Sequence, residues 1–244
     1  VNAALIQISD VAIDSARGNS GTIMAQYFIG MAEKSSNITE INNKNIFDLL
    51  DGAYNAAKQS MAEPKEGTII TVMRDIATES KNHMDSNDIE NTFKAIYKVS
   101  IESLNNTPEQ MQILKDAGVV DAGAQGFVDL IEGLYHYIKT GENVNPESIE
   151  MHEADSADIN IENYDDSNYQ FCTECIVEGD SISRKDMKEE LTSMGDSFIL
   201  AGTKNKVKVH IHTDNPNKVF DLCSNFGTVK NQKADDMHQQ VSSS

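Results

Sequence analysis

The chain has 244 residues, with 20 lysines and arginines against 39 aspartates and glutamates, which gives a formal net charge of −19. Without a basic patch, so acidic a surface argues against binding to nucleic acid or to an anionic membrane. No apolar run approaches the roughly 20 residues that cross a bilayer, and three cysteines are too few for a disulfide framework. We therefore expect a cytoplasmic protein without membrane insertion or a nucleic-acid partner.

Residues 1–140 show the apolar spacing of helices throughout. The helices are predicted at 2–16, 22–34, 46–61, 69–80, 93–104 and 127–139. Five or six helices in this stretch predict an all-helical domain. The chain begins on Val1 rather than Met, inside the first predicted helix, so we expect a fragment of a longer protein or a processed chain.

The composition changes after this domain. Residues 141–168 contain nine acidic residues and no lysine or arginine, which is typical of a solvated linker. Residues 169–236 then alternate with period 2, and residues 237–244 form a serine-rich tail. The predicted strands are 169–178, 197–202, 205–213 and 227–233, and the predicted helices are 184–194 and 216–225. This β-α-β-β-α-β order is that of the ferredoxin-like unit, so the fold class is multidomain α and α+β.

Three glycine-containing segments stand directly before predicted helices: Arg17-Gly18-Asn19-Ser20-Gly21, Glu66-Gly67-Thr68 and Asp121-Ala122-Gly123-Ala124-Gln125-Gly126. The start of a helix offers unpaired backbone N–H groups, and glycine lets a phosphate approach them. A glycine before a helix is nevertheless usually only a turn, and the lysine of a P-loop is absent. An incomplete nucleotide site and purely structural turns both remain open.

Strand alternation gathers three reactive side chains in the second domain. In a ferredoxin-like unit the first and third strands are antiparallel neighbours, which brings the start of one beside the end of the other. Cys172 lies near the start of the first strand, and His210 and His212 lie near the end of the third. Period 2 places all three on one face, opposite the apolar core. We expect this face to be free of helices.

Three other interpretations of these residues remain. Zinc could be bound by Cys172 and Cys175 together with His210 and His212. Positions 172 and 175 point to opposite faces of a regular strand, so such a site would need a bulge. A redox pair is less favoured because the two cysteines do not open a helix. An ordinary polar sheet face with two solvated histidines is the third.

With these motifs in place, the chain resembles the bacterial fatty acid kinase catalytic subunit family, whose nucleotide-binding domain is related to the ATP-binding subunit of dihydroxyacetone kinases. The resemblance covers residues 10–236, with motifs in the same order and at similar spacing. They are Ala16-Arg17-Gly18-Asn19-Ser20-Gly21, Glu66-Gly67-Thr68-Ile69, Ala117-Gly118-Val119-Val120-Asp121-Ala122-Gly123, Phe171-Cys172-Thr173-Glu174, Met194-Gly195-Asp196-Ser197 and Val207-Lys208-Val209-His210-Ile211-His212-Thr213.

The resemblance implies a helical barrel that binds ATP and Mg²⁺, followed by a central domain that forms a homodimer. It also implies phosphorylation of the carboxylate of a fatty acid held by a separate fatty-acid-binding protein, which gives an acyl phosphate. The implied catalytic residues are Cys172, His210 and His212. The implied nucleotide contacts are Arg17, Gly18, Asn19, Ser20, Gly21, Gly67, Thr68, Asp121 and Gly123.

Two departures qualify the resemblance. The family's magnesium-binding aspartates precede the Arg17–Gly21 segment by several tens of residues, and its carboxy-terminal carrier-docking domain has no counterpart here. We therefore expect residues 1–244 to be inactive by themselves. The alternatives are a small-hydroxyl kinase of the dihydroxyacetone type and a non-enzymatic dimerising module.

Overall fold

The computed structural model describes residues 1–143, 167 and 169–237. Helices fill the first part, and the described residues from 169 onward form the predicted β-α-β-β-α-β unit. The helices are α1 (Asn2–Ser15), α2 (Gly18–Lys34), α3 (Asn43–Ser60), α4 (Ile69–Lys81), α5 (Ile89–Asn105), α6 (Thr107–Gln110), α7 (Gln112–Ala117), α8 (Ala122–Thr140), α9 (Arg184–Leu191) and α10 (Pro216–Ser224). The strands are β1 (Phe171–Glu178), β2 (Asp196–Gly202), β3 (Lys206–Thr213) and β4 (Thr228–Asp236).

The described residues divide into two compact units that do not follow chain order. One unit comprises Val1–Asn37, Asn55–Pro64 and the described part of Glu162–Ser244. The other comprises Ile38–Tyr54 and the described part of Lys65–Ile161. The first two helices thus belong to the same unit as the sheet, whereas the sequence grouped them with the other helices. We call these the sheet unit and the helical unit.

The sheet has the strand order β2-β3-β1-β4, with every neighbouring pair antiparallel. This is the predicted ferredoxin-like arrangement. One face of the sheet forms an apolar core with α9 and α10. Its buried members are Cys175, Val177, Ile182, Met187, Leu191, Phe198, Leu200, Val207, Val209, Ile211, Val219 and Cys223.

The other face of the sheet is covered, and the expectation of a face free of helices is wrong. Helix α2 packs against β2 and β3, and α1 packs against α2. The side-chain oxygen of Gln26 on α2 accepts a hydrogen bond from the backbone N–H of Gly202 at 2.8 Å. Of the residues on this face, Lys208 is only 3% exposed and Glu174 only 4%. The cover comes from segments far away in the chain, which strand alternation does not report.

Helices α4, α5 and α8 contact one another in the helical unit. Their apolar stripes supply its buried side chains, including Ile76, Ile96 and Phe127. Asp121 begins α8 by accepting a hydrogen bond from Ala124 N–H at 2.7 Å, as an N-cap does. Gly118 ends α7 with a left-handed φ of 68°, a conformation that costs glycine least.

Two of the three glycine segments are helical rather than loops. Helix α2 already begins at Gly18 and α8 at Ala122, so only Glu66-Gly67-Thr68 lies before its helix as predicted. The earlier starts arise because Glu174 and Asp121 accept hydrogen bonds from first-turn N–H groups. Most of the predicted linker and tail, residues 144–166, 168 and 238–244, lies outside the described residues. Across the part of the chain that is described, no helix is both long and apolar enough to span a bilayer.

Candidate functional site

Pairing of β1 with β3 brings Cys172, His210 and His212 together. Cys172 lies opposite His212 in the register, and Glu174 lies opposite His210. Cys172 Sγ is 4.0 Å from His210 Nδ1, and the two imidazole ring centres are 5.2 Å apart. One sulfur or ring nitrogen from each residue lies within 4.8 Å of those of the other two. The convergence predicted from strand alternation is confirmed.

The environment of this cluster differs from the prediction. His210 is 1% exposed and His212 is 3% exposed, whereas Cys172 is half-buried. The interpretation as a polar face with two solvated histidines is therefore wrong. The cluster combines two buried imidazoles with a thiol that solvent reaches in part.

Glu174 organises the interior of the site. Its Oε1 accepts hydrogen bonds from His210 Nδ1 at 3.0 Å and from the backbone N–H of Gly18 at 2.9 Å. Its Oε2 accepts from Lys208 Nζ at 3.0 Å, and Lys208 also donates to the carbonyl of Ala16 at 2.8 Å. Sequence analysis gave Glu174 and Lys208 no role. Their shared face with His210 was the available signal, because two opposite charges on one strand pair predict an ion pair.

Ionisation within the cluster follows from these contacts. Burial opposes ionisation of Cys172, but its contacts with His210 and His212 lower the pKa of the thiol to about 7. Burial also disfavours the charged form of Glu174, yet His210 and Lys208 lower the pKa of this carboxyl to about 2. The pKa of His210 is raised, because Cys172 and Glu174 outweigh the effect of burial. The site therefore favours a thiolate and an imidazolium near neutral pH.

Cys175 lies on the opposite face, in the apolar core, and is 1% exposed. Its contact with Cys223, followed by burial, raises the pKa of the Cys175 thiol. The β1–β4 register shifts between Glu174 and Ile176, but Cys175 stays among the core residues. The zinc site that combined Cys172 with Cys175 is therefore wrong.

The first glycine segment lies in the sheet unit, at the start of α2. Gly18 has a left-handed φ of 61°, and no atom lies within 4 Å of the position that a Cβ would occupy. Its N–H group is bonded to Glu174, whereas Arg17 and Asn19 are exposed and Ser20 is half-buried. An open glycine at a helix start fits the approach of a phosphate. The same segment touches the Cys172 cluster through Glu174.

The other two segments lie in the helical unit, where Asp121 joins them. The carboxylate of Asp121 accepts from Ala124 N–H at the start of α8 and from Ile69 N–H at the start of α4. Burial raises the pKa of Asp121 against these two hydrogen bonds. The nucleotide role of Asp121 and Gly123 stays a prediction, because capping two helices also accounts for the aspartate.

Gly67 and Thr68 already have partners within the protein. Gly67 N–H donates to Thr71 Oγ1 at 2.9 Å, and Thr68 Oγ1 donates to the carbonyl of Lys65 at 2.8 Å. Gly67 has φ +82°, and a Cβ there would lie 2.7 Å from Met111 Cγ. Local packing thus accounts for the glycine, and a phosphate contact at Gly67 and Thr68 stays a prediction.

Comparison with known proteins agrees with the two parts of the chain. Residues 1–136 match the DAK2 domain family, and residues 168–244 match the FakA-like middle domain of fatty acid kinases. The chain is similar to a protein of Staphylococcus aureus strain bovine RF122 / ET3-1 that is named only as uncharacterized. The two are 31% identical over 237 residues, which are 92% of this chain and 43% of the relative.

A second relative, from S. aureus strain MRSA252, is also named as uncharacterized. It is 31% identical over 235 residues, again 92% of this chain and 43% of its own length. The chain thus spans less than half the length of these curated relatives. Both domain matches occur in the order that the sequence motifs implied. The chain belongs to the FakA-like fatty acid kinase family, in which a DAK2 domain precedes this middle domain.

Proposed function

We propose that this chain is part of an ATP-dependent phosphotransferase that transfers a phosphoryl group to the carboxylate of a fatty acid. The fatty acid would be presented by a separate binding protein, and the product would be an acyl phosphate. The observation that carries the proposal is the buried cluster of Cys172, His210 and His212, in a chain whose two halves match a kinase-type domain and a FakA-like middle domain. We further propose a homodimer through the middle domain.

The acceptor needs little activation in this reaction. A fatty acid carboxylate is already ionised at neutral pH, so the site has no need of a general base. Catalysis then depends on positioning the acceptor and on neutralising charge on the transferring phosphoryl group. ATP with Mg²⁺ supplies that group when bound, and the open start of α2 at Gly18, Asn19 and Ser20 is the part of this chain that best fits a phosphate.

Within the site, we assign His210 and His212 to hold positive charge beside the acceptor. His210 suits this role because Glu174 fixes its ring through Nδ1 and the surrounding charges raise its pKa. Cys172, as the neighbouring thiolate, stabilises the imidazolium form of His210. Glu174 acts as a positioning residue, since it binds both His210 and the start of α2.

The test is a hydroxylamine trap on the natural full-length protein that contains these residues. The mixture contains ATP, Mg²⁺, a fatty acid and its binding protein, and acyl phosphate is read as hydroxamate. We expect hydroxamate from the unmodified protein and at least about a 100-fold loss in His210→Ala, because removing one preorganised charge-stabilising group has an effect of that order. His136→Ala is the matched control, since His136 is exposed on α8.

Two results would contradict the proposal. One is the absence of hydroxamate although ATP and the binding protein are both bound. The other is phosphorylation of dihydroxyacetone in place of the fatty acid, which would favour the small-hydroxyl kinase. A His210→Ala protein as active as His136→Ala would refute the assignment of the site.

A further inference from the structure

The Cys172 cluster contains the kinds of donor atom that a soft divalent metal prefers. One thiol and two imidazoles each place a possible ligand atom within 4.8 Å of the other two. Sulfur and imidazole nitrogen select zinc over magnesium or calcium, which favour oxygen. Two of the three side chains are almost fully buried, so the donors come from the rigid centre of the sheet.

His210 is oriented for coordination by its other nitrogen. Nδ1 lies 3.0 Å from Glu174 Oε1, and an ionised carboxylate only accepts, so Nδ1 carries the hydrogen. In the neutral ring the lone pair then lies on Nε2. That atom is buried and has no hydrogen-bond partner among the described residues. An orphaned buried nitrogen is costly, and a bound cation would satisfy it.

His212 has a related but looser arrangement. Its Nδ1 lies 3.6 Å from Asp196 Oδ1, on the neighbouring strand β2. Each histidine therefore has a carboxylate beside Nδ1. Zinc-binding histidines commonly use one ring nitrogen for the metal and the other for a carboxylate, which fixes the ring. A carboxylate in the same place beside both histidines is the second observation that points to a metal.

From this geometry we infer that Cys172, His210 and His212 bind one Zn²⁺ ion, with Glu174 and Asp196 orienting the two imidazoles. Cys175 takes no part, because it lies in the core on the opposite face. Three protein ligands leave a fourth position open, which is the pattern of reactive rather than purely structural zinc sites. Metal binding itself does not depend on the proposed function.

The role of the open position does rest on the proposed function. It would take an oxygen of the acceptor carboxylate or of the transferring phosphoryl group. In the zinc-loaded protein, the ion would then carry the positive charge that the imidazolium provides in the metal-free protein. This gives Cys172 a direct function as the anionic ligand.

Zinc binding is tested first on the full chain. The protein is stripped with EDTA, loaded with zinc alone, freed of excess by gel filtration, and measured by elemental mass spectrometry. We expect one zinc per chain. Loading with Co²⁺ instead should give a thiolate-to-cobalt charge-transfer band, which reports a sulfur ligand directly.

The variants separate this ligand set from its alternatives. Cys172→Ser and His210→Ala should each lower zinc affinity by more than about 100-fold, and Cys172→Ser should abolish the cobalt band. Glu174→Gln should lower the affinity by about 10- to 100-fold, the usual effect of losing an outer-sphere partner. Cys175→Ala, in the same strand, should leave stoichiometry and band unchanged. Circular dichroism checks that each variant is folded.

Less than about 0.2 zinc per chain in the folded unmodified protein, or a cobalt band that survives Cys172→Ser, would overturn the inference. Loss of zinc in Cys175→Ala would show a different ligand set. Zinc-loaded and stripped proteins are then compared in the hydroxamate assay. One zinc per chain without hydroxamate would refute the proposed function and leave the metal site standing, whereas hydroxamate at full rate without zinc would refute the role of the open position.

Discussion

The two faces of the sheet turn the same strands into different chemistry. Cys172 and Cys175 are three residues apart on β1, yet one lies beside two imidazoles and the other lies among apolar side chains. The pKa of Cys172 is lowered to about 7, and the pKa of Cys175 is raised. A cysteine's reactivity is therefore set by the face it occupies, because neighbouring charge stabilises the thiolate and apolar burial opposes it.

The faces also differ in how burial is tolerated. Cys175, Val207 and Val209 contact a conventional apolar core. Glu174 and Lys208 are equally buried but are charged, and they depend on each other and on backbone groups. Removing one partner of such a pair leaves an uncompensated buried charge, which is costly. The polar face is thus the more sensitive of the two to single substitutions.

The largest effect is expected from Glu174→Ala. This change leaves Lys208 buried without its counter-ion, so we expect a loss of about 3–5 kcal/mol in the free energy of unfolding. The free energy is measured by urea titration followed by circular dichroism. Glu178→Gln is the control, since Glu178 lies on the same face of β1 and pairs with Lys230 while exposed to solvent.

That control should cost no more than about 1 kcal/mol, the usual value for an exposed ion pair. Equal losses in the two variants would show that Glu174 and Lys208 do not form a buried pair. A fully folded Glu174→Ala protein with unchanged stability would contradict the network around Glu174.

The pH dependence of stability is the next largest effect. The carboxyl of Glu174 has a pKa of about 2 in the folded protein against an ordinary value of 4.5. Its contribution is therefore fully present above about pH 5 and is lost as the pH falls through 4.5 toward 2. We expect the unmodified protein to lose about 1–3 kcal/mol more than Glu174→Gln between pH 5 and pH 2.5.

Urea titrations of both proteins across this pH range measure the difference. Comparing the two proteins cancels the titration of other carboxylates, because Glu174→Gln removes only one group. Parallel curves for the two proteins would exclude a lowered pKa at Glu174.

The smallest effect concerns the two cysteines directly. In zinc-free protein, iodoacetamide should modify Cys172 with a midpoint near pH 7, while Cys175 and Cys223 react only when the protein unfolds. His210→Ala should raise the midpoint by about 1–2 pH units, because an opposite charge is removed from beside the thiolate. Peptide mass spectrometry identifies the modified cysteine, and faster modification of Cys175 than of Cys172 would reverse the assignment of faces.

Much of the site could be predicted from local pattern. Period 2 in β1 and β3, together with the β-α-β-β-α-β order, predicted that Cys172, His210 and His212 share a face and an end of the sheet. The register Cys172 to His212 confirms it. The prediction succeeded because side-chain alternation is a property of each strand and antiparallel pairing follows from the order of the elements.

Other features had no local signal. Glycine before apolar periodicity predicted loops at 17–21 and 121–126, where the structure has the first turns of α2 and α8. The start of α2 depends on the contact between Gly18 N–H and Glu174, which are 156 positions apart. A sequence window around Gly18 contains no trace of that partner.

The sequence by itself thus determined the class of fold, the alternation of the strands and the family. Only the tertiary structure decided that α1 and α2 bury the polar face and that Glu174 joins His210, Lys208 and Gly18 in one network. The physical reason is range. Periodicity records which side of an element is apolar, whereas coverage of a face depends on which distant segments pack against it.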